Sequence, residues 1–176
     1  MSLRLLILTV AFFGCQKCAH GQLVDRIKYY DVTGATTREF VHNWHAIQRQ
    51  QGFAGYCWWQ PKMKHGFART PWGYRPTNLD LKVYVTLTLP RVKYPSDMPL
   101  ETRHHFSRQI QAIYDHEYTH RKYKIEFYRQ FVWEFNRLPA MQNTDALYAA
   151  SNQLLWKLYD DTKAKDALFY RNGLSD

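Results

Sequence analysis

Leu81-Lys-Val-Tyr-Val-Thr-Leu-Thr-Leu89 is the stretch of this 176-residue chain that decides the fold. Aliphatic residues stand at every second position, and lysine, tyrosine and threonine fill the positions between them. Because side chains alternate between the two faces of a strand, this period of two predicts a strand with one buried face. We predict the strand over 80–89 and expect Pro90 to end it, because proline has no N–H for the ladder.

Upstream of this strand, the sequence predicts a first strand, a helix and an aromatic extended segment. Apolar residues in 22–37 have the spacing of extended chain. Thr36 and Glu39 then have the spacing of a capping box, and apolar residues continue at helical spacing to about Gln51. Residues 55–75 are rich in aromatic side chains and are interrupted by glycine and proline, which predicts extended structure with turns.

Two long helices are predicted downstream of the strand. The first runs from about Leu100 to Leu138, before Pro139, and the second from about Thr144 to Tyr170. The inward side of the first carries residues at helical spacing: Phe106, Ile110, Ile113, Glu117, His120, Phe127, Phe131 and Phe135. The core stripe of the second is predicted to be Leu147, Leu154, Leu158 and Leu168. An N-terminal helix and strands that we expect to be antiparallel, followed by a helical hairpin, predict an α+β fold in one domain over 22–176.

The first 21 residues have the order of a signal peptide. Arg4 precedes an apolar run over 5–13 that is too short to span a bilayer, and small residues then stand at Ala19 and Gly21. We predict cleavage after Gly21 and export to the periplasm or the medium. A buried N-terminal helix is the alternative.

The cysteines and the charge constrain the mature chain. Cys15 and Cys18 fall in the predicted signal peptide; lipid attachment through either is a further alternative, although the residues before Cys15 make a poor lipobox. Cys57 would then be the one cysteine left, and it cannot form an internal disulfide. Removing Arg4 and Lys17 takes the net charge from +9 to +7. This excess fits solubility or association with anionic envelope components, while the scattered basic residues argue against nucleic-acid binding.

His116-Glu117-Tyr118-Thr119-His120 is the stretch that indicates chemistry. Residues four apart on a helix share a face, so two imidazoles at this spacing can bind one zinc ion with a position left open. Glu117 would lie beside that position, where a carboxylate can take a proton from zinc-bound water. The alternative is a pair of surface histidines beside a charged residue. His104 and His105 lack the spacing of the motif, and we interpret them as solvated or capping residues.

A third zinc ligand must come from another segment of the chain. Glu126 and Glu134 lie about 9 and 21 Å beyond His120 along the helix axis, too far to reach the same ion. The short link between the two predicted helices makes them antiparallel, which places residue 118 opposite about residue 164.

Three aspartates on the second helix therefore come near the motif. We prefer Asp161, because it continues the face of Leu154 and Leu158, and place Asp160 second; Asp166 also lies in this region. A solvated or helix-capping acid is the alternative for each of them. The remaining candidates are histidines from the first half of the chain: His42, His45 and His65.

Several segments of the chain resemble those of one bacterial family. They are Tyr30-Asp-Val-Thr-Gly34, Ala68-Arg-Thr-Pro-Trp72 with Tyr74, Leu87-Thr-Leu-Pro90, and the motif His116-Glu117 with His120. On these segments the chain resembles the domain-of-unknown-function family 922, described as predicted secreted zinc-dependent proteases. The resemblance covers most of the mature chain, and it implies a zincin-like fold with an HExxH zinc site.

The C-terminal signature of that family, Tyr-Asp-x-x-Thr-x-His, is altered in this chain. Tyr159-Asp160-Asp161-Thr162 has one residue fewer between aspartate and threonine. With Thr162 aligned, Ala164 stands at the position of the family's histidine. If that histidine is the family's third ligand, the resemblance implies that Asp160 or Asp161 replaces it, or that zinc is bound poorly.

The sequence therefore predicts an exported zinc metallopeptidase that acts on a peptide or protein. His116 and His120 would bind Zn²⁺, Glu117 would be the general base, and Asp161 or Asp160 would complete the shell. By analogy with zincins, the 80–89 strand is expected to pair with an extended substrate. The rival hypothesis is a non-catalytic envelope binding protein with a degenerate zinc site.

Overall fold

A computed structural model describes residues 20–173, which form a mixed three-stranded sheet and three helices. In chain order the elements are β1 (His20–Val32), α1 (Thr37–Gln51), β2 (Tyr56–Thr70), β3 (Gly73–Val92), α2 (Leu100–Phe135) and α3 (Thr144–Gly173). The predicted α+β order, ending in a helical hairpin, is confirmed. Most of the predicted signal peptide lies outside the described residues. None of the helices within 20–173 is long and apolar enough to cross a membrane.

β3 is the central strand of the sheet, whose order is β1-β3-β2. It pairs in parallel with β1 over 80–92 and antiparallel with β2. The prediction of antiparallel strands is therefore wrong for β1, because α1 follows β1 and returns the chain across the sheet before β2 and β3 form their hairpin. Its inward residues are completely buried: Leu81, Val83, Val85, Leu87 and Leu89. The expectation that 80–89 pairs with a substrate strand is wrong, because both of its hydrogen-bonding edges are already used within the sheet.

Pro90 does not end β3, which continues to Val92. Beyond Thr88 the partner strand β2 has ended, so one side of β3 is unpaired there. The Pro90 carbonyl accepts a hydrogen bond of 2.7 Å from the Tyr114 hydroxyl of α2. Because the nitrogen and the carbonyl of a strand residue face the same side, the missing N–H costs no ladder bond.

α1 has the capping predicted for it. The Thr36 side chain accepts a hydrogen bond from the Glu39 backbone N–H, and the Glu39 carboxylate accepts one of 2.9 Å from the Ala35 N–H. Gly52 ends the helix in the left-handed conformation, with φ of 71°. Phe40 and Trp44 of α1 are buried against Phe106 of α2, so α1 packs beside the N-terminal half of the long helix.

α2 packs across the inner face of the sheet and has the inward side that its spacing predicts. Phe127, Phe131 and Phe135 join Leu158 and the inner residues of β3 in one core cluster. Lys124 lies on the same side and is 1% exposed, a degree of burial that is unusual for a lysine. A lysine therefore occupies a core position one turn beyond His120.

The buried face of α3 differs from the predicted stripe towards its C-terminal end. Leu147 and Leu158 are buried as predicted, but Leu168 is 56% exposed. Thr162, four residues after Leu158, is buried, while Asp161 is exposed. The prediction that Asp161 continues the Leu158 face is therefore wrong, because on this helix the face advances by four residues.

Two leucine substitutions on α3 test this assignment of its faces. Leu158→Ala should lower the free energy of unfolding by about 2–5 kcal/mol, because it opens a cavity in the core. Leu168→Ala, the matched control, should change it by less than about 0.5 kcal/mol. Urea denaturation of both variants measures the difference, and equal losses would contradict the assignment.

Candidate functional site

His116 and His120 lie one turn apart on α2, and their rings meet at the surface that faces α3. The two Nε2 atoms are 3.0 Å apart, and the ring centroids are 4.7 Å apart. The pKa of both imidazoles is lowered, in each case mainly because burial disfavours the charged ring. Two neutral rings therefore place their Nε2 atoms within hydrogen-bond distance of each other.

Asp166 on α3 determines which nitrogen of His120 carries the proton. Its Oδ1 atom is 2.8 Å from His120 Nδ1, while the His120 side chain is 3% exposed. A carboxylate at this position accepts the Nδ1–H, which leaves the Nε2 lone pair of His120 free. His116 Nε2 can then donate a hydrogen bond to it, or both lone pairs can face a common ligand.

Lys124 forms an ion pair with the other oxygen of Asp166. Burial lowers the pKa of Lys124 to about 8, so its ammonium is still largely charged at neutral pH. Its Nζ atom also lies 5.2 Å from the centroid of the Trp59 ring. The His120 ring is thus held on its Nδ1 side by a chain of contacts that runs through Asp166 to Lys124.

Glu117 is buried beside the histidines, and only 3% of the residue is exposed. Its Oε2 atom has no hydrogen-bond partner among the described residues. Burial raises the pKa of Glu117, although His120 and Lys124 act in the opposite direction. A carboxylate that is buried without a partner is costly, so its position requires an explanation beyond packing.

Gly55 leaves the space that Glu117 occupies. A Cβ atom at Gly55 would lie 2.8 Å from Glu117 Cγ and 2.7 Å from Ile113 Cγ2. The segment before β2 is held in place by a hydrogen bond from the Tyr30 hydroxyl to the Ala54 carbonyl. The backbone of this segment is therefore one wall of the site.

Phe169 and Tyr170 of α3 form another wall. The Tyr170 ring centroid lies 4.5 Å from that of His120 and 5.0 Å from that of His116. The Phe169 centroid lies 4.9 Å from that of His116. Burial, followed by the charge of Glu117, raises the pKa of Tyr170, which keeps its hydroxyl protonated as a potential donor.

The two aspartates preferred from the sequence lie elsewhere on α3. Asp160 and Asp161 are exposed, and the carboxylate that reaches His120 is that of Asp166. Asp166 lies opposite His120, whereas the symmetric hairpin predicts residue 162 there. The link between the helices is the reason, because it extends away to pair Met141 with Tyr74 before α3 begins.

The alternative histidines do not join the site. His42 and His45 are exposed on α1, and His104 and His105 are exposed on α2. His65 contacts the rings of Phe135 and Tyr148 at the C-terminal end of α2, about four turns beyond the motif. Within residues 20–173, no group of three or more His, Cys, Asp or Glu side chains is arranged to hold a metal ion.

Three residues of the site are absent from the set predicted from the sequence: Lys124, Tyr170 and Gly55. A signal existed for Lys124, since it stands four residues after His120 on the inward stripe of α2, where a charged residue needs a partner. The roles of Tyr170 and Gly55 depend on contacts between distant segments, and no local pattern indicates them.

A family model matches residues 27–172 and therefore covers nearly all of the described chain. Its description is "Bacterial protein of unknown function (DUF922)", which assigns no activity. A comparison with curated proteins and a comparison with solved structures each gave no significant match. The match includes the motif on α2 and the aspartate on α3 that contacts it. The chain is a member of the bacterial family of unknown function DUF922.

Proposed function

We propose that this protein is an exported zinc-dependent hydrolase that cleaves peptide bonds. The observation that carries the proposal is the convergence of two neutral imidazole Nε2 atoms beside a buried carboxylate whose Oε2 atom has no partner. A general base must be free to accept a proton, and Glu117 is free in this sense. The packing of the motif helix on a sheet supports a zincin-like arrangement.

The donor atoms fit part of a zinc shell. Two nitrogens bound at 2.0–2.1 Å to one tetrahedral ion lie about 3.3 Å apart, and the observed separation is 3.0 Å. A metal-binding histidine commonly directs its second nitrogen to a carboxylate, as His120 does to Asp166. His116 and His120 would hold the ion, and Asp166 would orient His120 from outside the shell.

The remaining roles follow from position and charge. A zinc ion bound there would acidify a water molecule and polarise the scissile carbonyl. Glu117 accepts the proton of the attacking water at Oε2 and passes it to the leaving amine. Its raised pKa makes it a better base than an exposed carboxylate.

Tyr170 is the tyrosine that we assign to stabilising the oxyanion. Thirteen tyrosines leave the choice open from sequence, but this ring lies within about 5 Å of both histidine rings. Its protonated hydroxyl can donate a hydrogen bond to the negative oxygen that develops at the carbonyl carbon.

Zinc content is the direct test of the metal site. Purified mature protein should contain one zinc per chain, and His116→Ala or His120→Ala should abolish binding, because one imidazole with water ligands holds zinc weakly. His104→Ala, an exposed histidine on the same helix, is the matched control and should keep full zinc content. Wild-type protein that binds no zinc in the micromolar range would contradict the proposal.

A non-catalytic envelope binding protein is the second candidate. It is favoured by Ala164 at the family's histidine position and by the exposure of Asp160 and Asp161. This candidate would be selected over the hydrolase if the protein binds zinc but cleaves no member of a broad peptide library. The Glu117→Gln variant would then match wild type in zinc binding and in its lack of cleavage.

A further inference from the structure

The outer face of the sheet is a surface that the proposed hydrolase site does not use. Odd-numbered residues of β3 over 79–89 point to the helices and are buried, whereas Lys82, Tyr84, Thr86 and Thr88 point to the other side and remain partly exposed. Their neighbours in register on β1 and β2 share that side. We call this surface the open sheet face; α2 and α3 pack on the opposite face.

The open sheet face is strongly basic. Its even-numbered positions over 22–28, 56–64 and 80–88 include five cations: Arg26, Lys28, Lys62, Lys64 and Lys82. Asp80 is the one acidic residue at these positions, and it lies 3.9 Å from Lys82. Asp25 points to the helices instead, where Arg121 binds it. Basic residues that are scattered in the sequence are thus collected on one surface.

Aromatic rings and hydroxyl groups share this surface with the cations. Tyr56 and Trp58 are 42% and 41% exposed at the β2 side, and Arg26 and Lys28 stand at the β1 side. Between them lie the hydroxyls of Thr86 and Thr88. A depression of about 370 Å³ joins all six of these residues.

We propose that the open sheet face binds an acidic polysaccharide. Exposed aromatic rings can cover the apolar C–H faces of sugar rings, and threonine hydroxyls both donate to and accept from sugar hydroxyls. Arg26 and Lys28 complement the carboxylates of such a polymer. Both rings line the depression, which favours a chain lying in the groove over insertion into a bilayer.

This binding is independent of the proposed hydrolase site. Glu117 and both histidines lie on the helix side of the sheet, so substitutions there should leave polysaccharide binding unchanged. We therefore expect substitutions at the hydrolase site to abolish peptide cleavage without weakening polysaccharide binding. Substitutions on the open sheet face should have the reverse effect.

Binding to polygalacturonate is the test, with the mature chain in low-salt buffer and isothermal titration calorimetry as the readout. Neutral dextran, oligo(dT) and phosphatidylglycerol vesicles are the comparison ligands. We expect polygalacturonate to bind best, with affinity falling as salt rises, because salt screens exposed charges. Trp58→Ala should weaken binding about tenfold through lost stacking. The double charge reversal Arg26→Glu with Lys28→Glu should weaken it more.

Matched controls separate the surface from general effects of charge and aromaticity. Trp72→Ala removes an 80% exposed tryptophan in the β2–β3 turn, and Arg108→Glu with Lys122→Glu reverses two exposed charges on α2. Both controls should keep wild-type affinity. Equal losses in controls and test variants, tighter binding to oligo(dT) or vesicles, or no binding to polygalacturonate would each overturn the proposal.

Discussion

Replacing Glu117 by glutamine is expected to lower peptide hydrolysis by about 10²–10⁴-fold while zinc stays bound. Glutamine has nearly the same size and fits the buried position next to Gly55, but at neutral pH it cannot accept the proton of the attacking water. His116 and His120, the proposed zinc ligands, are unchanged. The measurement is kcat/KM on a cleavable fluorogenic peptide, together with zinc content and thermal stability of the same preparation.

Glu126→Gln is the matched control for this prediction. Glu126 is a half-buried glutamate on the same helix, more than two turns beyond Glu117, and its replacement should leave hydrolysis unchanged. Unchanged hydrolysis in Glu117→Gln would show that the assigned base is wrong. A loss of zinc together with activity would instead show that Glu117 acts in holding the site.

Asp166→Asn is expected to lower zinc affinity by about 10–100-fold without unfolding the protein. Asparagine keeps the shape of the side chain but loses the charge that pairs with Lys124 and that binds the His120 Nδ1–H. His120 then has less preference for the tautomer with a free Nε2 lone pair. Competition with a chromogenic chelator measures the affinity.

Nitrogen NMR of the imidazoles provides a readout of Asp166 that does not require zinc. In metal-free wild type, the His120 proton should reside on Nδ1, and Asp166→Asn should shift this population towards the other tautomer. A merely structural role for Asp166 would leave the tautomer unchanged.

Asp160→Asn and Asp161→Asn are the controls, and they also test the ligands preferred from sequence. Both aspartates are exposed, so neither substitution should change zinc affinity. If Asp161→Asn abolishes binding and Asp166→Asn does not, the sequence-based choice of the third ligand is right and our assignment of Asp166 is wrong.

Much of the fold is predictable because local patterns report local structure. The alternation at 81–89 indicates a strand with a buried face, and the cap at Thr36 indicates the start of a helix. Pro90 was misleading because proline interrupts a strand only where its missing N–H would have been bonded. Leu168 was misleading because the sequence of a long helix does not show whether a given leucine faces the core or the solvent.

The sequence by itself determined the α+β order of elements, and it brought His116, Glu117 and His120 to one side of a helix. Residues two apart on a strand share a face, and residues four apart on a helix share a face, in any chain that adopts the corresponding backbone. The tertiary structure decided which groups meet that side. The path of the link past Tyr74 sets the register of α3 against α2, so Asp166 and Tyr170 meet the histidines and Asp161 faces solvent. The pairing of three strands likewise collects basic residues from distant segments on one face, because register between strands depends on the whole sheet.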